Sequence, residues 1–319
     1  MQLSSKQKGY LLVGLSGFLW GTGFLYIQYI LNQGLDPKDL VSWKMMIGFC
    51  IMLTYTLIKD KKLLKVDKNG LLYFGFMAFV CHVLYNLSMY VALERTNIAT
   101  TVSLMYTAPV FVLLIARFAF KEPLTLIKVI AVFLCVVGVF LTATGGTLSV
   151  LDLNVIGVLL GLFTGLCYAI MNLLSKFLLK TYEQLTILTY TFGLAFLFSL
   201  SFSNPLAAFQ IEFNIWFWIN ILLLGAVPTA LAYMLFTSGL SHNIESSKAA
   251  IIATIEVPVS VIGSYIVFGQ NIMGLKMVGV ALVLISVIIL QGDLNPLKKI
   301  GIKSRLESNL TGIDEKKPF

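Results

Sequence analysis

The chain is divided into apolar runs of about twenty residues, and this pattern limits its fold more than any other feature. A helix of about twenty residues is about 30 Å long, which matches the hydrocarbon core of a bilayer. The runs are apolar on all sides, and only 12% of the 319 residues are charged while 58% are hydrophobic. A soluble domain carries about a quarter charged residues, so soluble folds are excluded. The sequence predicts an all-α polytopic membrane protein.

Ten such runs follow one another, separated by short polar, proline or glycine breaks. The fourth and ninth are the least apolar, but without them a long apolar stretch would have no regular structure. We therefore predict ten transmembrane helices, at Tyr10–Leu31, Leu40–Ile58, Gly70–Leu93, Ala99–Phe120, Leu126–Thr144, Val155–Leu179, Leu185–Phe202, Trp216–Leu240, Ser247–Phe268 and Met273–Gln291.

The lysines and arginines are distributed unequally between the two sides of this ten-helix arrangement. With the N-terminus inside, the inner segments hold 19 of the 23 basic residues. The outer segments hold three, Lys38, Arg95 and Lys276, and Lys44 lies within a span. Cytoplasmic loops carry the excess of basic residues, so both termini are predicted to be cytoplasmic.

The two halves of the chain resemble each other. The segment Gly17–Phe24 has its counterpart in Gly161–Tyr168, and the residues around Pro109 match those around Pro258. Five spans is an odd number, so the second half begins on the opposite side of the membrane and the repeats are inverted. Inverted repeats around a midplane site are a recurrent transporter architecture. The predicted units are a first five-helix repeat at 9–145, a second at 154–291 and a cytoplasmic tail at 292–319.

These features resemble the EamA-type family of the drug/metabolite transporter superfamily. The resemblance rests on the two five-span halves, the Gly-x-x-Trp-Gly region Gly17–Gly21, and the end of the fourth span from Pro109 to Glu122. Two positions depart from the family pattern, because Gln270 replaces a glutamate and Lys44 replaces an arginine common in relatives. The resemblance implies export or uptake of small metabolites, often amino acids or amines.

Glu256 is the one carboxylate placed deep inside a span. It lies about eight residues, or about 12 Å, into the ninth span, and ionisable residues at such depth are functional candidates. Glu256 is therefore a candidate carrier of a coupling proton or a binding group for a cationic substrate. A structural role remains open, in which Glu256 either pairs with Lys44 or hydrogen-bonds to backbone that Pro258 leaves without a helical partner.

Polar side chains recur at helical spacing in the third and eighth spans. His82, Asn86 and Tyr90 share one face of the third span. The corresponding positions of the eighth span are Thr229, Tyr233 and Thr237. Two such stripes indicate a polar cavity, although interhelical hydrogen bonding explains them as well.

Other side chains within spans are weaker candidates for the substrate pathway. Lys44 lies near the outer end of the second span, so it is either an anion-binding group or a lysine that reaches the headgroups. Aromatic residues in spans more often pack or lie at interfaces. The further candidates in the two glycine-rich helices are Trp20, Tyr26, Gln28, Tyr168 and Asn172.

Small residues and prolines recur at matching places in both halves. Glycines at three- or four-residue spacing allow helix backbones to approach closely. Prolines remove a backbone hydrogen bond and kink a helix, so the fourth and ninth spans are candidate hinges. The residues assigned to helix packing and hinges are Gly17, Gly21, Gly161, Gly165, Pro109 and Pro258.

The motifs of other protein classes are missing from the sequence. It contains no nucleophile–base set, no metal-ligand cluster and no phosphate-binding glycine loop. Its four cysteines lie in apolar runs without metal or redox spacing. We therefore predict no enzyme, no catalytic residues, no metal, no cofactor and no nucleic-acid partner.

The sequence is interpreted as a secondary active transporter of the bacterial cytoplasmic membrane, with the lipid bilayer and a small metabolite as its partners. Alternating access would move the metabolite, and export is favoured over import. A cationic drug or amine exporter is the alternative transport function, and a membrane sensor or receptor is the alternative of another class. Proton coupling and a homodimer are left open.

Overall fold

The computed structural model describes residues 4–148, 154–211, 214–269 and 273–292. All regular elements in these ranges are helical. The α-helices are α1 Ser5–Asn32, α2 Pro37–Lys59, α3 Lys68–Ala78, α4 Tyr85–Arg95, α5 Ile98–Met105, α6 Ala108–Ala119, α7 Leu126–Thr144, α8 Val155–Leu178, α9 Gln184–Ser199, α10 Ile215–Leu224, α11 Ala232–Ser241, α12 Ser246–Ala253, α13 Glu256–Phe268 and α14 Leu275–Gly292. Short 3₁₀ helices occupy Lys61–Leu64 and Pro205–Gln210.

Eight helical segments of the described chain are long and apolar enough to cross a membrane. Some of them combine consecutive elements, because α3 and α4 are joined through a π-helical turn at Phe79–Leu84, and α10 and α11 through another at Gly225–Leu231. The helices α9 and α14 are apolar but shorter. The prediction of an all-helical, multi-pass membrane protein is therefore confirmed. The predicted tail lies mostly outside the described residues.

The surface and the interior follow the polarity that a bilayer requires. Large apolar side chains such as Phe118, Leu126 and Ile266 are more than 70% exposed. Charged residues such as Lys128 and Glu256 are instead buried inside the helix bundle. In hydrocarbon, charged groups face the interior of a bundle or another polar partner, so this distribution fits a membrane protein.

Side-chain caps at the helix ends satisfy backbone amides that lack a helical partner. Asp36 accepts a hydrogen bond from the Lys38 amide at 2.7 Å, and Pro37 follows it at the first helical position. Asn154 caps α8 by accepting from the Gly157 amide at 3.2 Å. These caps set the beginnings of α2 and α8.

The fourth and ninth predicted spans are each interrupted near the middle. The fourth consists of α5 and α6, with the interruption at residues 106–107. The ninth consists of α12 and α13, with the interruption at residues 254–255. Pro109 lies two residues and Pro258 three residues beyond its interruption, and each proline ring prevents a helical hydrogen bond to the carbonyl four residues earlier. The prolines therefore place both breaks about one turn upstream.

Glycines bring the first helix of each half against the interrupted span of the other half. A Cβ atom on Gly17 would lie 2.5 Å from the Ala253 carbonyl oxygen of α12. A Cβ atom on Gly165 of α8 would lie 2.8 Å from the Met105 carbonyl oxygen of α5. Both distances are far below contact distance, so only glycine permits these approaches.

We predict that Gly17→Ala and Gly165→Ala each destabilise the protein by about 1–3 kcal/mol, because the added methyl group meets backbone that cannot move aside. The matched control is Gly75→Ala, since no atom outside its own helix lies within 4 Å of that Cβ position. Alanine should stabilise the helix there by up to about 1 kcal/mol. The measurement is the apparent melting temperature of each purified variant in detergent, and equal melting temperatures in all three would contradict the close-contact explanation.

Candidate functional site

The interruptions of the fourth and ninth spans meet inside the protein. Glu256 is the first residue of α13, and only 6% of its surface is exposed. Tyr106 lies in the break between α5 and α6, and its hydroxyl lies near the carboxyl group of Glu256. The N-terminal end of a helix favours negative charge, so the position suits a carboxylate. A titratable group therefore lies where two broken helices converge.

The repeat does not place the same chemistry on both sides of this junction. Aligning Pro109 with Pro258 pairs Glu256 with Thr107. The Thr107 hydroxyl donates a hydrogen bond to the Leu104 carbonyl at 2.6 Å, within its own broken span. One interruption thus carries an ionisable group and the other a neutral one that is already satisfied.

An aromatic cluster lies beside the junction and joins helices from both halves. Trp20 of α1 contacts Tyr233 and Phe236 of α11, with ring centroids 5.2 Å and 5.1 Å apart. The ring of Tyr168 from α8 lies 6.3 Å from Trp20. Edge and tilted contacts at these distances are favourable between aromatic rings. The rings form a wall with apolar faces and polar edges.

His82 extends this wall to the third span and to α9. Its ring lies 5.5 Å from Tyr233 and 5.8 Å from Phe192 of α9. His82 belongs to the π-helical turn Phe79–Leu84, and the π-helical turn of the eighth span includes Thr229, the residue at the repeat-related position. Such turns occur frequently at functional sites, because the extra residue redirects side chains and frees backbone groups.

Lys44 and Asn86 continue the polar row from His82. The Asn86 amide donates to the His82 carbonyl at 2.5 Å and accepts from the Lys44 ammonium at 3.4 Å. Lys44 therefore points into the protein and not towards the outer headgroups. Among the described residues, Lys44 and Glu256 do not form an ion pair with each other. The structure thus separates the two charges that the sequence analysis considered as partners.

Several buried polar atoms in this region have no protein partner within the described chain. They are the Trp20 indole nitrogen, the His82 Nε2 atom, the Tyr168 hydroxyl and both amide atoms of Asn172. More than 90% of buried polar groups in proteins are hydrogen-bonded, so a concentration of unpartnered groups requires an explanation. All four residues are among those predicted from the sequence to line the substrate pathway.

The remaining polar positions of the eighth span are satisfied locally. Thr229 donates to the Leu224 carbonyl at 2.9 Å, and Thr237 donates to the Tyr233 carbonyl at 2.8 Å. These two hydroxyl groups thus serve their own helix. Sequence reasoning did not select Tyr106, Phe192 or Phe236, although the position of Tyr106 just before the proline motif is a signal that could have identified it.

A second polar cluster lies at the end of the molecule that carries most of the basic residues. Glu122 accepts hydrogen bonds from the Ser246 and Ser247 amides at 2.6 Å and 3.1 Å, and from the Ser247 hydroxyl at 2.5 Å. Lys176 of α8 pairs with the same carboxylate at 3.0 Å. Burial raises the pKa of Glu122, but the Ser247 hydrogen bond and the Lys176 charge outweigh it and hold the pKa below its usual value.

The family model of EamA-like transporters matches residues 7–144 and 155–291. The chain belongs to the EamA-like transporter family. An uncharacterized transporter of Archaeoglobus fulgidus is 27% identical and covers 86% of this chain and 93% of its own length. The uncharacterized transporter YyaM of Bacillus subtilis is 24% identical, with coverages of 88% and 92%. Transport across a membrane is therefore supported.

Two further comparisons concern membrane location and fold. The uncharacterized inner membrane transporter YicL of Salmonella typhimurium is 22% identical and covers 91% of this EamA-like chain and 97% of its own length. A crystal structure of a protein with 15% identity superposes with a TM-score of 0.73 over 88% of this chain and 96% of that one. At this identity the likeness concerns the fold alone.

We predict that Tyr168→Phe reduces transport by about tenfold without lowering the melting temperature, because the lost hydroxyl makes no hydrogen bond within the protein. Tyr190→Phe is the matched control, since the Tyr190 hydroxyl donates to the Leu64 carbonyl at 2.6 Å. That change should destabilise the protein by about 1 kcal/mol and leave the transport rate of the folded protein unchanged. Transport per folded molecule and melting temperature are measured together. Unaltered transport by Tyr168→Phe would show that this hydroxyl is not part of the substrate pathway.

Proposed function

We propose that this chain is a secondary active transporter that exports small metabolites, such as amino acids or related compounds, by alternating access with proton coupling at Glu256. The observation that carries the proposal is the meeting of Glu256 and Tyr106 at two interrupted spans, beside buried polar groups without protein partners. Discontinuous helices around a midplane site are typical of secondary transporters. Irregular backbone at membrane depth occurs where protein or a water-filled cavity covers it.

Matching contacts in the two halves support ten spans arranged as two inverted repeats, 9–145 and 154–291. Gly17 approaches the broken ninth span, and its counterpart Gly161 approaches the broken fourth span at Leu104. The last helices of the repeats, α7 and α14, approach through Gly138 and Gly279. Exchanging the conformations of two such halves converts an inward-open state into an outward-open state.

Glu122 supplies the closure of the inner side in this proposal. It caps α12 from the other half of the chain, and all eight residues of α12 are buried. Opening the inner side requires separation of Glu122 from Ser246, Ser247 and Lys176. Its counterpart in the second repeat is Gln270, an uncharged residue that lies outside the described ranges. The two corresponding positions therefore differ in charge.

The proposed location is the bacterial cytoplasmic membrane, with both termini in the cytoplasm. The unequal distribution of basic residues supports this orientation. The name of the relative YicL, an inner membrane transporter, supports the location. In the structure Glu122, Lys128, Lys176 and Glu245 cluster at one end, which is the predicted cytoplasmic end.

Counterflow in proteoliposomes with a panel of amino acids, organic acids and amines tests transport, and Glu256→Gln tests coupling. Glutamine cannot release a proton, so accumulation driven by a pH gradient should fall by about tenfold or more. Counterflow at equal pH should stay within about threefold of wild type, since exchange needs no net proton movement. Glu94→Gln is the control, because Glu94 is exposed.

Three outcomes of this experiment would contradict the proposal in different ways. Absence of counterflow for every solute with a folded protein would argue against transport. Loss of both counterflow and binding in Glu256→Gln would make Glu256 a ligand for a cationic substrate instead of a proton carrier. Undiminished accumulation in Glu256→Gln would place the coupling group elsewhere.

The orientation predicts opposite labelling of two exposed loop positions in whole cells. Lys38→Cys should react with a membrane-impermeant thiol reagent in intact cells, whereas Lys62→Cys should react only after permeabilisation. Both lysines are exposed, so burial does not confuse the comparison. The parent protein without an introduced cysteine controls for the native thiols, and labelling of Lys62→Cys alone in intact cells would reverse the topology.

A further inference from the structure

A cleft opens between α2, α4 and α9 on the side of the molecule that carries Lys38. We call it the outer cleft. Lys38 lies at its mouth, and the polar side chains of Asn86, Tyr90 and Ser199 line it together with apolar residues. Its lining includes no acidic side chain. Lys38 is the charged side chain of this lining, and a positive charge raises the local concentration of anions.

Asn86, which lines the cleft, also contacts Lys44. Lys44 follows Lys38 by six residues on α2, which is about 9 Å along the helix axis. The Asn86 amide group donates to the His82 carbonyl, and this contact turns its oxygen towards the Lys44 ammonium. Asn86 is 4% exposed, so this orientation is held inside the protein.

The Lys44 ammonium lacks a carboxylate partner among the described residues. Its hydrogen bond to Asn86 is long, at 3.4 Å, and an ammonium group has three donors. The nearby acids of α2 are used elsewhere, because Asp39 accepts from the Asn204 amide at 2.6 Å and Asp36 caps the helix. A cation inside a membrane protein ordinarily pairs with an acid or with backbone carbonyls.

We propose that Lys44 and His82 form a binding site for the carboxylate of an organic monocarboxylate that enters through the outer cleft. This inference rests on the proposed transport function and specifies its substrate class. His82 is 2% exposed, its Nε2 atom has no protein partner, and Lys44 lies close enough for its charge to act on the ring. One ammonium and one neutral ring nitrogen balance a single negative charge, so a carboxylate fits better than a phosphate dianion.

The aromatic rings around His82 indicate the chemistry of the rest of the solute. Phe192 and Tyr233 contact His82, and their own rings lie 5.4 Å apart. Trp20 continues this surface beyond Tyr233. An aromatic surface next to a cation suits a solute with an apolar body and a charged end, since apolar walls with few placed polar groups are typical of small-molecule sites.

The test compares probes that share one body and differ in the charged end. The probes are 3-phenylpropionate, 3-phenylpropylamine, 3-phenylpropanol and 3-phenylpropyl phosphate, with butyrate and butylamine as a smaller pair. Binding to the purified full-length protein is measured by equilibrium dialysis and by the shift in melting temperature. We expect at least one acid to bind about tenfold or more tightly than its matched amine or alcohol, and more tightly than the phosphate.

Variants separate the site from general effects on folding. Lys44→Met should weaken acid binding by about tenfold or more and leave alcohol binding unchanged. The melting temperature without ligand should stay equal or rise, since an unpaired charge has been removed from the interior. Lys62→Met is the matched control, because Lys62 is an exposed lysine in the 3₁₀ helix Lys61–Leu64. His82→Phe keeps the ring contact and should weaken binding of the acid but not of the alcohol.

The proposal is overturned if an amine binds more tightly than its matched acid, if no acid binds, or if Lys44→Met weakens acid and alcohol equally. Tighter binding of the phosphate than of the acid would show that the site takes phosphate esters, and this result would also overturn the proposal. Counterflow distinguishes these failures from failure of the transport function. Exchange of amines without exchange of acids would contradict the carboxylate site but not the transport function. Absence of exchange for every solute would contradict the transport function itself.

Discussion

An unpaired backbone amide or carbonyl in hydrocarbon costs several kcal/mol, and this constraint determines the arrangement around the interrupted spans. The breaks at residues 106–107 and 254–255 free backbone groups at membrane depth. Such breaks are tolerated only where protein covers them, and glycine faces of α8 and α1 provide that cover. Because Gly165 and Gly17 lack side chains, their helices approach the carbonyls of Met105 and Ala253 directly. The candidate site therefore depends on glycines that contribute no chemistry to it.

The two halves of the sequence resemble each other but differ in charge at positions that matter for the proposed transport cycle. Glu256 corresponds in the sequence to Thr107, and Glu122 corresponds to Gln270. A symmetric scaffold with symmetric charges would have equivalent inner and outer states. The charge of Glu122 is held by two backbone amides, a hydroxyl and Lys176, which favours closure of the end that carries it. In the proposed cycle this difference gives the two sides of the transporter unequal stability.

The sequence is sufficient to predict the helical membrane fold, because hydropathy and span length follow directly from the solvent. It also directs attention to Glu256, His82 and Trp20, since polar groups in apolar runs are unusual. It does not predict that Tyr106 reaches Glu256 or that Lys44 turns towards Asn86. Those contacts depend on crossing angles and on the π-helical turns, and both arise from packing between distant segments. Local patterns therefore identify the residues, while tertiary structure decides their partners.

The contrast between Lys128 and Lys44 indicates that the unmet groups at the centre reflect function and not poor packing. Lys128 is 1% exposed, yet it pairs with Glu245 at 2.5 Å and donates to the Pro123 carbonyl at 2.8 Å. The same chain thus supplies a buried ammonium with a carboxylate and a carbonyl where the role is structural. At Lys44, His82 and Asn172 it leaves donors and acceptors without protein partners. Each such group costs about 1–3 kcal/mol of stability, so a site that keeps several of them is one in which bound solute or water completes the hydrogen bonds.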